Sequence, residues 1–569
     1  MSVKLRALPS TLLLIAGESY RVGQIGAFLR IPLGYSQLYG ICTKIGADAI
    51  PSNVINQDET RRWISITLFG EAVGGFFERG VSQYPTVGDE VHLVTNNDLA
   101  TIYRSTESDT QITIGNLAAS SGIAGNLDLG KVLSRHCAVV GSTGTGKSNF
   151  VAILLDAISS KRFPKSRVLV VDPHGEYGSC VGENGYVFRI RPKTASKEKL
   201  LEVPFWALPF DDLRNIAMGG MQSANETYVA DEIIQMKREK ATALKLKVPS
   251  SEITADSPIP FNMRELWFRL DCKERQTYKD NQGQIPLQPT KAGNANTFTS
   301  NEYPPPSPGM KEPYAARPRG LQRNLDFMRS RIQDDNYGFL FNKESKYNLK
   351  EDGKLPSDID VLVASWVGHD KPLTVLDVSG VPSETTAAVV GTLIRIVYDT
   401  LFWGGSLPIG GRQQPLMIVL EEAHLFLPEG GSGPAHRTIG KIAKEGRKYG
   451  VGMTIVTQRP GEVDSTVVSQ CGTMVAMRLT NRTDRSAVAA MMPDDLGDLT
   501  AMLPSLRTGE ALITGEGMPI PSRIQVWRAA NKPVGDNPDL GAAWSTGARP
   551  DSKLYAQAVK NWRAKSFQG

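Results

Sequence analysis

The stretch GSTGTGKS, residues 141–148, decides the fold of this chain. It fits the pattern G-x-x-x-x-G-K-[ST] at every position, after the apolar stretch HCAVV and before the helical stretch NFVAILLDAI. Glycines let backbone N–H groups curl around phosphate oxygens, and the N-terminus of the next helix adds a partial positive charge. The stretch therefore predicts a phosphate-binding loop between a buried strand and a helix.

The side chains of this loop have distinct expected roles. Lys147 is expected to reach the β- and γ-phosphates of a nucleotide and to act in catalysis, and Ser148 is expected to bind Mg²⁺. ATP and Mg²⁺ are therefore the predicted cofactors. The predicted nucleotide contacts are Gly141, Ser142, Thr143, Gly144, Thr145, Gly146, Lys147, Ser148 and Asn149.

Short apolar runs extend outward from the loop between about residues 130 and 530. They are HCAVVG, RVLVVD, LTVLDVSG, LMIVLEE, MTIVTQ and TMVAMRL, and helical stretches separate them. Runs that are apolar on both faces and alternate with helices are typical of a mostly parallel sheet covered on both sides. The predicted fold class is therefore α/β with a P-loop core. One helix is predicted from Ser383, as N-cap, through Trp403.

An acidic pair ends the run LMIVLEE. Glu421 stands where such strands usually place the carboxylate of the magnesium shell, and Glu422 where a general base polarises the attacking water. Taken alone, two acids at the end of a strand are as often an ordinary transition into a loop as a catalytic pair. Beside a complete phosphate-binding loop, the catalytic interpretation is favoured.

Three further polar positions follow. Gln458 ends the run MTIVTQ, where an amide can sense a γ-phosphate, although a polar strand exit is the plainer interpretation. Arg447, in KEGRKYG, is a candidate for a finger that enters a neighbour's ATP site, although surface arginines are common. Asn481-Arg482-Thr483-Asp484 is close to the N-K-x-D motif of GTPases, but Arg replaces Lys and GTP specificity is not expected.

The domain organisation follows from shifts in this pattern. Short strands with frequent Gly, Pro and Asn predict a small β-barrel before the core, and a segment rich in Pro, Asn, Gln, Ser and Thr predicts an exposed loop, with disorder as one interpretation. The predicted units are an N-terminal β-barrel over 1–115, the ATPase core over 116–200 and 366–530, a helical insertion over 201–365 with its loop at about 273–320, and a tail over 531–569.

Composition narrows the possible classes. The net charge of +5 over 569 residues permits a nucleic-acid partner without arguing for one. The five cysteines are scattered and form no CxxC pair, which argues against a disulfide framework and a structural zinc site. No stretch approaches the 18 or more apolar residues of a membrane helix, so no membrane association and a cytoplasmic location are expected.

Together these motifs resemble the HerA family, within the larger group that includes FtsK. The resemblance rests on GSTGTGKS, DPHGEY at 172–177, LDVSG at 376–380, IVLEEAH, KEGRKYGVG, TQRP and SQCGTMVAMRLTN. It implies a hexameric ring with ATP hydrolysis at subunit interfaces and duplex DNA in the channel. By position, Glu422 would be catalytic, Gln458 would contact the γ-phosphate, and Arg447 would act in trans. Asp172, His174 and Glu176 would lie near the active site.

The resemblance also implies a partner protein, and the N-terminal strands resemble the HAS barrel that precedes the motor in this family. Partners of the family are the nuclease NurA in archaeal end resection and nuclease or sirtuin-like effectors in bacterial antiphage defence; the long Pro-rich loop favours the bacterial type. Two functions stay open: a translocating DNA motor, or an ATP-gated assembly platform that docks an effector without net translocation. A secretion pump like VirB4 fits less well. Basic stretches that qualify as pore contacts are 189–193 and 317–331, with Arg189, Arg317, Arg319, Arg323, Arg329 and Arg331.

Overall fold

The computed structural model describes most of the chain in thirteen pieces. These are residues 2–5, 12–15, 18–21, 24–46, 62–104, 108–118, 120–192, 197–308, 311–314, 318–492, 497–535, 540–546 and 551–564, with the side chain of residue 121 and a few others left aside. The strands that precede the core are β1 (Ser2–Leu5), β2 (Leu12–Ile15), β3 (Glu18–Arg21), β4 (Phe28–Leu33), β5 (Ser36–Gly46), β6 (Arg62–Val73), β7 (Phe76–Arg79) and β8 (His92–Leu93).

These strands form an antiparallel N-terminal module. Its main sheet runs in the order β1-β6-β5-β4-β8, with β7 paired to β6, and β2 and β3 form a separate ribbon. In β4, Leu29 and Ile31 are buried while Arg30 and Pro32 are more exposed, as in a strand with one covered face. The predicted small antiparallel module is present; within the described residues its pairing is an open path, and closure into a barrel stays a prediction.

The core contains one twelve-stranded mixed sheet. Its strands are β9 (Gln111–Leu117), β10 (Ser120–Asp128), β11 (Cys137–Val140), β12 (Arg167–Asp172), β13 (Gly185–Arg189), β14 (Lys199–Leu200), β15 (Leu373–Asp377), β16 (Leu416–Leu420), β17 (Val451–Thr457), β18 (Thr473–Met477), β19 (Glu510–Gly515) and β20 (Ser522–Val526). The order is β10-β9-β20-β19-β18-β11-β17-β16-β12-β15-β13-β14. All six apolar runs singled out in the sequence are strands of this sheet.

Strand direction divides the sheet into two parts. The strands from β18 to β14 are parallel, and their pairing registers bring their carboxyl ends to one edge. From β18 to β10 the pairing is antiparallel. Residues 111–115, which the sequence pattern assigned to the N-terminal module, belong to β9, which pairs with β10 and β20 in the core sheet. The short stretch QITIG is apolar enough for either sheet. Its pairing with a strand that is distant in sequence determines which sheet it joins.

The described residues also form helices, several of which pack against the core sheet. They are α1 (Asn96–Arg104), α2 (Leu129–Arg135), α3 (Lys147–Ile158), α4 (Gly178–Val181), α5 (Phe210–Ala217), α6 (Ser223–Ala243), α7 (Met263–Arg275), α8 (Gln322–Gln333), α9 (Gly338–Phe341), α10 (Ile359–Val367), α11 (Ser383–Trp403), α12 (Pro434–Glu445), α13 (Ser465–Val468), α14 (Arg482–Met491), α15 (Leu540–Thr546) and α16 (Ser552–Ala564). The predicted helical insertion corresponds to α5 through α10.

The Pro-rich loop of the insertion is irregular but well anchored. Tyr278 forms β-bridges with Pro286 and with Tyr314, and the buried Phe298 ring packs edge-on against Trp267 at a centroid distance of 5.1 Å. The buried Phe298 ring and the backbone bridges of Tyr278 therefore fix the position of the described residues of this loop. The predicted exposed loop is therefore present, and the interpretation of it as disordered is wrong for the described residues.

The helix α11 begins and ends where its sequence predicts, with one difference. Pro382 is the N-cap and makes no side-chain capping hydrogen bond, and Ser383, the predicted N-cap, is the first residue of the helix. Within the described residues α11 is the one helix long and apolar enough, by length and composition, to cross a membrane. The expectation that no stretch approaches that size is therefore wrong. However, 61% of its apolar window is buried, and Gly391 lets it approach α12 closely, as in a core helix.

Candidate active site

The phosphate-binding loop lies between β11 and α3, as predicted. Gly144 and Gly146 have φ values of +72° and +113°, which an L side chain rarely adopts, so the loop needs glycine at both positions. Thr145 Oγ1 donates to the Ser142 carbonyl at 2.7 Å, and Lys147 Nζ donates to the same carbonyl at 3.2 Å. These bonds hold the loop closed around the space where phosphates would bind.

Lys147 is buried among carboxylates. Burial lowers the pKa of its ammonium group, while Glu421, Glu422 and Glu176 oppose that shift by their negative charges. Lys147 is the first residue of α3, so its ammonium group adds to the partial positive charge at the helix N-terminus, and both favour an anionic phosphate. The loop lysine is therefore positioned for an anionic ligand.

Glu421 is fixed by a partner that lies far away in sequence. The Tyr177 hydroxyl donates to Glu421 Oε2 at 2.8 Å, and both side chains are buried. Burial raises the pKa of Glu421 well above its usual range, although the tyrosine hydrogen bond opposes the shift. Tyr177 therefore orients Glu421 beside Lys147, and the sequence pattern of β16 gave no sign of this contact.

Glu422 has a different environment one residue along. Its backbone is left-handed, with φ of 49° and ψ of 50°, which turns the chain sharply after β16. Its carboxylate lies 3.3 Å from His424 Nδ1 and accepts a long 3.5 Å hydrogen bond from the Gln458 backbone N–H. Burial raises the pKa of Glu422, but the His424 hydrogen bond, the charge of His424 and Lys147 outweigh it, so the pKa is lowered overall.

An ionised carboxylate is what a base for water activation requires. Two neighbouring acids with pKa values pushed in opposite directions therefore have separate roles, with Glu422 as the ionised member. Sequence analysis singled out both acids but not His424, whose position in the EEAH run was the available signal.

Gln458 contacts the phosphate-binding loop directly. Thr143 Oγ1 donates to Gln458 Oε1 at 2.5 Å. The residue before Gln458 is Thr457, and its hydroxyl lies 3.2 Å from His424 Nδ1. The register of β11 against β17 aligns Val140 with Thr457, so the loop and the amide leave the sheet side by side. The structure thus brings together the sensing amide and the acidic pair that the sequence predicted separately.

The DPHGEY block forms the third side of the site. Asp172 is fully buried and accepts hydrogen bonds from the backbone N–H groups of His174, Gly175 and Tyr177 at 3.2, 2.8 and 2.8 Å. These bonds fix a tight turn after β12. The turn presents Glu176, whose Oε2 accepts a hydrogen bond from Ser148 Oγ at 3.0 Å. Glu176, not Glu421, is therefore the acid in contact with Ser148.

The residues present suit a magnesium nucleotide. Within the described residues no group of three His, Cys, Asp or Glu side chains could hold a metal ion by itself. A magnesium ion that keeps several waters and shares phosphate oxygens needs only one or two protein ligands. Ser148 with Glu176, and Glu421 beside them, provide hard oxygen donors of that kind.

Comparison with known proteins agrees with this geometry. The family description "Helicase HerA, central domain" matches residues 112–397, and "Helicase HerA-like C-terminal" matches residues 397–541. The chain belongs to the HerA family. With its complete phosphate-binding loop and acidic pair, this HerA-family protein is a P-loop ATPase.

Relatives and solved structures are similar over most of the chain. The chain is 25% identical over 444 residues to the "Probable helicase MJECL08" of Methanocaldococcus jannaschii, covering 78% of this chain and 75% of the relative. It is 26% identical over 463 residues to the "DNA double-strand break repair helicase HerA" of Saccharolobus solfataricus, covering 81% and 76%. The structure of VirB4 from Thermoanaerobacter pseudethanolicus matches with a TM-score of 0.47 at 12% identity, over 74% of this chain and 98% of that one.

Two predicted site residues of this HerA-family chain lie where the sequence alone could not place them. Asn149 uses its side-chain amide to bind the Trp527 carbonyl and the Ala529 N–H, at 2.7 and 2.9 Å, so both polar atoms of this side chain already have protein partners. Arg447 is exposed in the turn before β17, at the amino edge of the sheet. A seven-residue strand spans roughly 20 Å, which separates Arg447 from its own phosphate-binding loop.

The guanine-motif resemblance has a local structural explanation. Asn481 caps α14 by accepting a hydrogen bond from the Thr483 N–H at 2.9 Å, and Asp484 accepts one from the Gly461 N–H at 3.3 Å. Both side chains thus stabilise backbone near the Gln458 loop. Their pattern is accounted for without a guanine base.

The predicted pore arginines divide into paired and exposed groups. Arg189 is half-buried and forms an ion pair with the buried Asp377 at 2.6 Å, and Arg331 bonds to Tyr337 and lies near Glu384. Both guanidinium groups therefore have partners within the protein, and their role as DNA contacts stays a prediction. Arg319 lies over the Tyr228 ring at 3.9 Å and Arg323 is exposed on α8. Arg317 lies outside the described residues.

Proposed function

We propose that this HerA-family ATPase is a hexameric motor that pumps duplex DNA through a central channel with ATP and Mg²⁺. It works with a nuclease or another effector protein, in DNA-end processing or antiphage defence. The observation that carries the proposal is the complete hydrolytic set. Glu422 is held ionised by His424, and Gln458 connects the same carboxylate to Thr143 of the phosphate-binding loop. A ring that used ATP only for assembly would not need this set.

The position of Arg447 supports a ring. An arginine finger stabilises the charge of the transferring phosphoryl group, so it must reach the γ-phosphate. Arg447 is too far from its own loop, yet exposed at the opposite edge of the sheet. A head-to-tail ring places the amino edge of one subunit near the carboxyl edge of the next, and such a heterologous interface closes by rotation.

The names of the relatives support DNA as the substrate. The Saccharolobus solfataricus relative is named a DNA double-strand break repair helicase. A channel that slides along a duplex contacts phosphates rather than bases, which needs exposed cations. Arg319, Arg323 and Arg329 on and before α8 are exposed, although Arg329 lies 3.3 Å from Asp326. We propose Arg319 and Arg323 as phosphate contacts.

The N-terminal module carries an exposed apolar tip suited to an effector. Tyr35 is fully exposed, Phe76 is 73% exposed and Val73 is 54% exposed. The register pairs Ser36 with Val73 and Val73 with Phe76, so the three side chains lie at the same end of the sheet. Exposed apolar patches of this kind commonly mark protein contacts. We propose that the effector docks on this tip.

Displacement of a third DNA strand from a duplex tests the motor. The wild-type protein with ATP should strip a triplex-forming oligonucleotide, and Glu422→Gln should bind ATP and DNA without stripping it. Arg319→Glu with Arg323→Glu should weaken both DNA binding and stripping, whereas Lys553→Glu on the exposed α16 should not. If wild type hydrolyses ATP on DNA but never displaces the third strand, the assembly-platform alternative replaces the motor.

The docking proposal needs its own variants. The product of the adjacent gene should co-purify with the wild-type protein. It should also co-purify with the control variant Trp403→Ser, which replaces an exposed apolar side chain of α11 by a polar one. It should be lost from the double variant Tyr35→Ser and Phe76→Ser. Retention by the double variant would remove the apolar tip as the docking surface.

A further inference from the structure

The antiparallel part of the core sheet brings a second set of residues to the phosphate-binding loop. Because β19 runs antiparallel to β18, the residues before it lie at the carboxyl edge of the parallel strands. Because β20 runs antiparallel to β19, with Glu510 opposite Gln525, the residues after β20 lie at the same edge. The strand order places both beside β11, on the side away from β17 and β16.

Contacts show how close this set lies to the loop. The Gly509 N–H donates to the Thr145 carbonyl at 2.8 Å, and the Val526 N–H donates to the Gly509 carbonyl at 2.8 Å. A side chain on Gly146 would meet the Gly509 Cα at 3.3 Å. The Asn149 amide, two residues into α3, binds the Trp527 carbonyl at 2.7 Å. Trp527 is therefore tied to the first turn of the helix that follows the loop.

The indole of Trp527 is only half covered. Its exposed fraction is 48%, although burying an indole stabilises a protein more than burying most side chains. In β20 the buried residues alternate with the exposed Arg523 and Gln525, and Trp527 continues the exposed series. Gln525 Nε2 donates to the Gly509 carbonyl at 3.1 Å, so this exposed face is the one that meets the loop.

The direction of a bound nucleotide follows from the two flanks of β11. Gln458 and Glu422, which act on the γ-phosphate, leave the sheet from β17 and β16. Lys147 and the loop enclose the β-phosphate. The rest of the nucleotide must then leave toward the opposite flank, where β18 and β20 end and β19 begins. An exposed aromatic ring there matches the flat face of a base.

We propose that Trp527 stacks on the adenine base of bound ATP. Arg507 and Arg528 are exposed on the same flank. Their positive charge would attract the phosphate groups of the nucleotide. Stacking uses the π face that every base has, so Trp527 strengthens nucleotide binding without selecting adenine over guanine. This inference rests on the ATPase activity of the site and is independent of DNA movement.

Calorimetric binding of ADP and of pyrophosphate, each with Mg²⁺, tests the proposal. Loss of a base stack weakens binding by about 5- to 100-fold. Trp527→Ala should therefore bind ADP that much more weakly and pyrophosphate as wild type does, and Trp527→Phe should keep ADP affinity within about threefold. Trp403→Ala, which removes another exposed indole, should change neither ligand's affinity.

Two results would overturn the stack. Wild-type ADP affinity in Trp527→Ala would show that the base lies elsewhere. An equal loss of ADP and pyrophosphate affinity would show that Trp527 only supports the loop. Both readouts concern binding alone, so a protein that binds ADP through Trp527 but fails to move DNA would contradict the motor and leave the stack intact.

Discussion

The Ser148 hydroxyl donates a hydrogen bond to Glu176 Oε2 at 3.0 Å, joining the phosphate-binding loop to the turn after β12. The same turn supplies Tyr177, which holds Glu421. A magnesium ion at Ser148 would therefore lie near two acids. Glu176 contacts the Ser148 hydroxyl directly, and Glu421 is held by Tyr177, the residue after Glu176. The metal side of the site is thus built by three segments, and the whole insertion lies between the turn that carries Tyr177 and the segment that carries Glu421.

Replacing Glu176 should raise the magnesium requirement. We expect Glu176→Gln to need roughly tenfold more Mg²⁺ for half-maximal ATPase, as other changes around metal ligands do, because the carboxylate no longer orients Ser148 or the waters of the ion. Titration of activity with MgCl₂ at saturating ATP measures this. The exposed Glu183→Gln is the matched control. An unchanged Mg²⁺ titration in Glu176→Gln would exclude this role.

The pH dependence of hydrolysis should depend on His424. Because His424 lowers the pKa of Glu422, removing it should raise that pKa. Glu422 would then be protonated at higher pH, so the acidic limb of kcat/KM should move to higher pH in His424→Gln. His436→Gln, which removes a histidine bonded to Asp464 outside the site, should leave the limb in place. A limb that does not move in His424→Gln would show that Glu422 is not the titrating base.

Mixed rings should reveal whether Arg447 acts between subunits. Arg447→Ala and Glu422→Gln should each abolish ATPase. In a mixture, a subunit with intact Glu422 can receive Arg447 from its neighbour, and about a quarter of the interfaces of an equimolar ring should be complete. ATPase of the reassembled mixture measures this recovery.

The control for this mixture uses two defects on the same side of the interface. Lys147→Ala and Glu422→Gln both damage the subunit that holds ATP, so their mixture should stay inactive. No recovery with Arg447→Ala, under conditions where rings exchange subunits, would remove Arg447 as a trans finger.

His136 should make the fold sensitive to acid. Its Nδ1 accepts the Met453 N–H at 2.9 Å and its Nε2 lies 3.1 Å from the Ala443 carbonyl, so the ring ties β11 to β17 and α12. Burial lowers the pKa of His136 to about 4. The unfolded chain takes up the proton near pH 6.5, so stability is lost as pH falls from there toward 4, by up to about 3 kcal/mol.

Thermal unfolding between pH 7 and pH 4 measures this contribution. The melting temperature of wild type should fall more steeply than that of His136→Gln, in which the titrating ring is absent. The exposed His92→Gln should follow wild type. Parallel pH curves for wild type and His136→Gln would mean that His136 binds its proton equally well in the folded state.

Local patterns were enough to predict the parts of the site that lie in one continuous segment. The loop at 141–148, the acidic pair after β16 and the amide after β17 each carry their own signal, and a parallel sheet necessarily brings them to one edge. The bounds of α11 were predictable because its segment is mostly apolar, follows Pro382 and ends before Gly404 and Gly405.

Contacts between distant segments were not predictable in the same way. Tyr177 meets Glu421 across 244 residues and Asn149 meets Trp527 across 378, and neither pair has a local pattern that names its partner. Arg189 shows the converse case. As sequence it is one of a basic stretch, and only the fold reveals the buried Asp377 that neutralises it.

The most direct test of the motor is the ATPase rate of the purified protein with and without linear duplex DNA, measured beside Glu422→Gln. The account predicts that DNA raises the wild-type rate, that this stimulation weakens at higher salt because phosphate contacts carry it, and that Glu422→Gln stays inactive under all conditions. A wild-type rate that is the same with and without DNA, in rings that bind ATP normally, would contradict the claim that hydrolysis drives DNA movement.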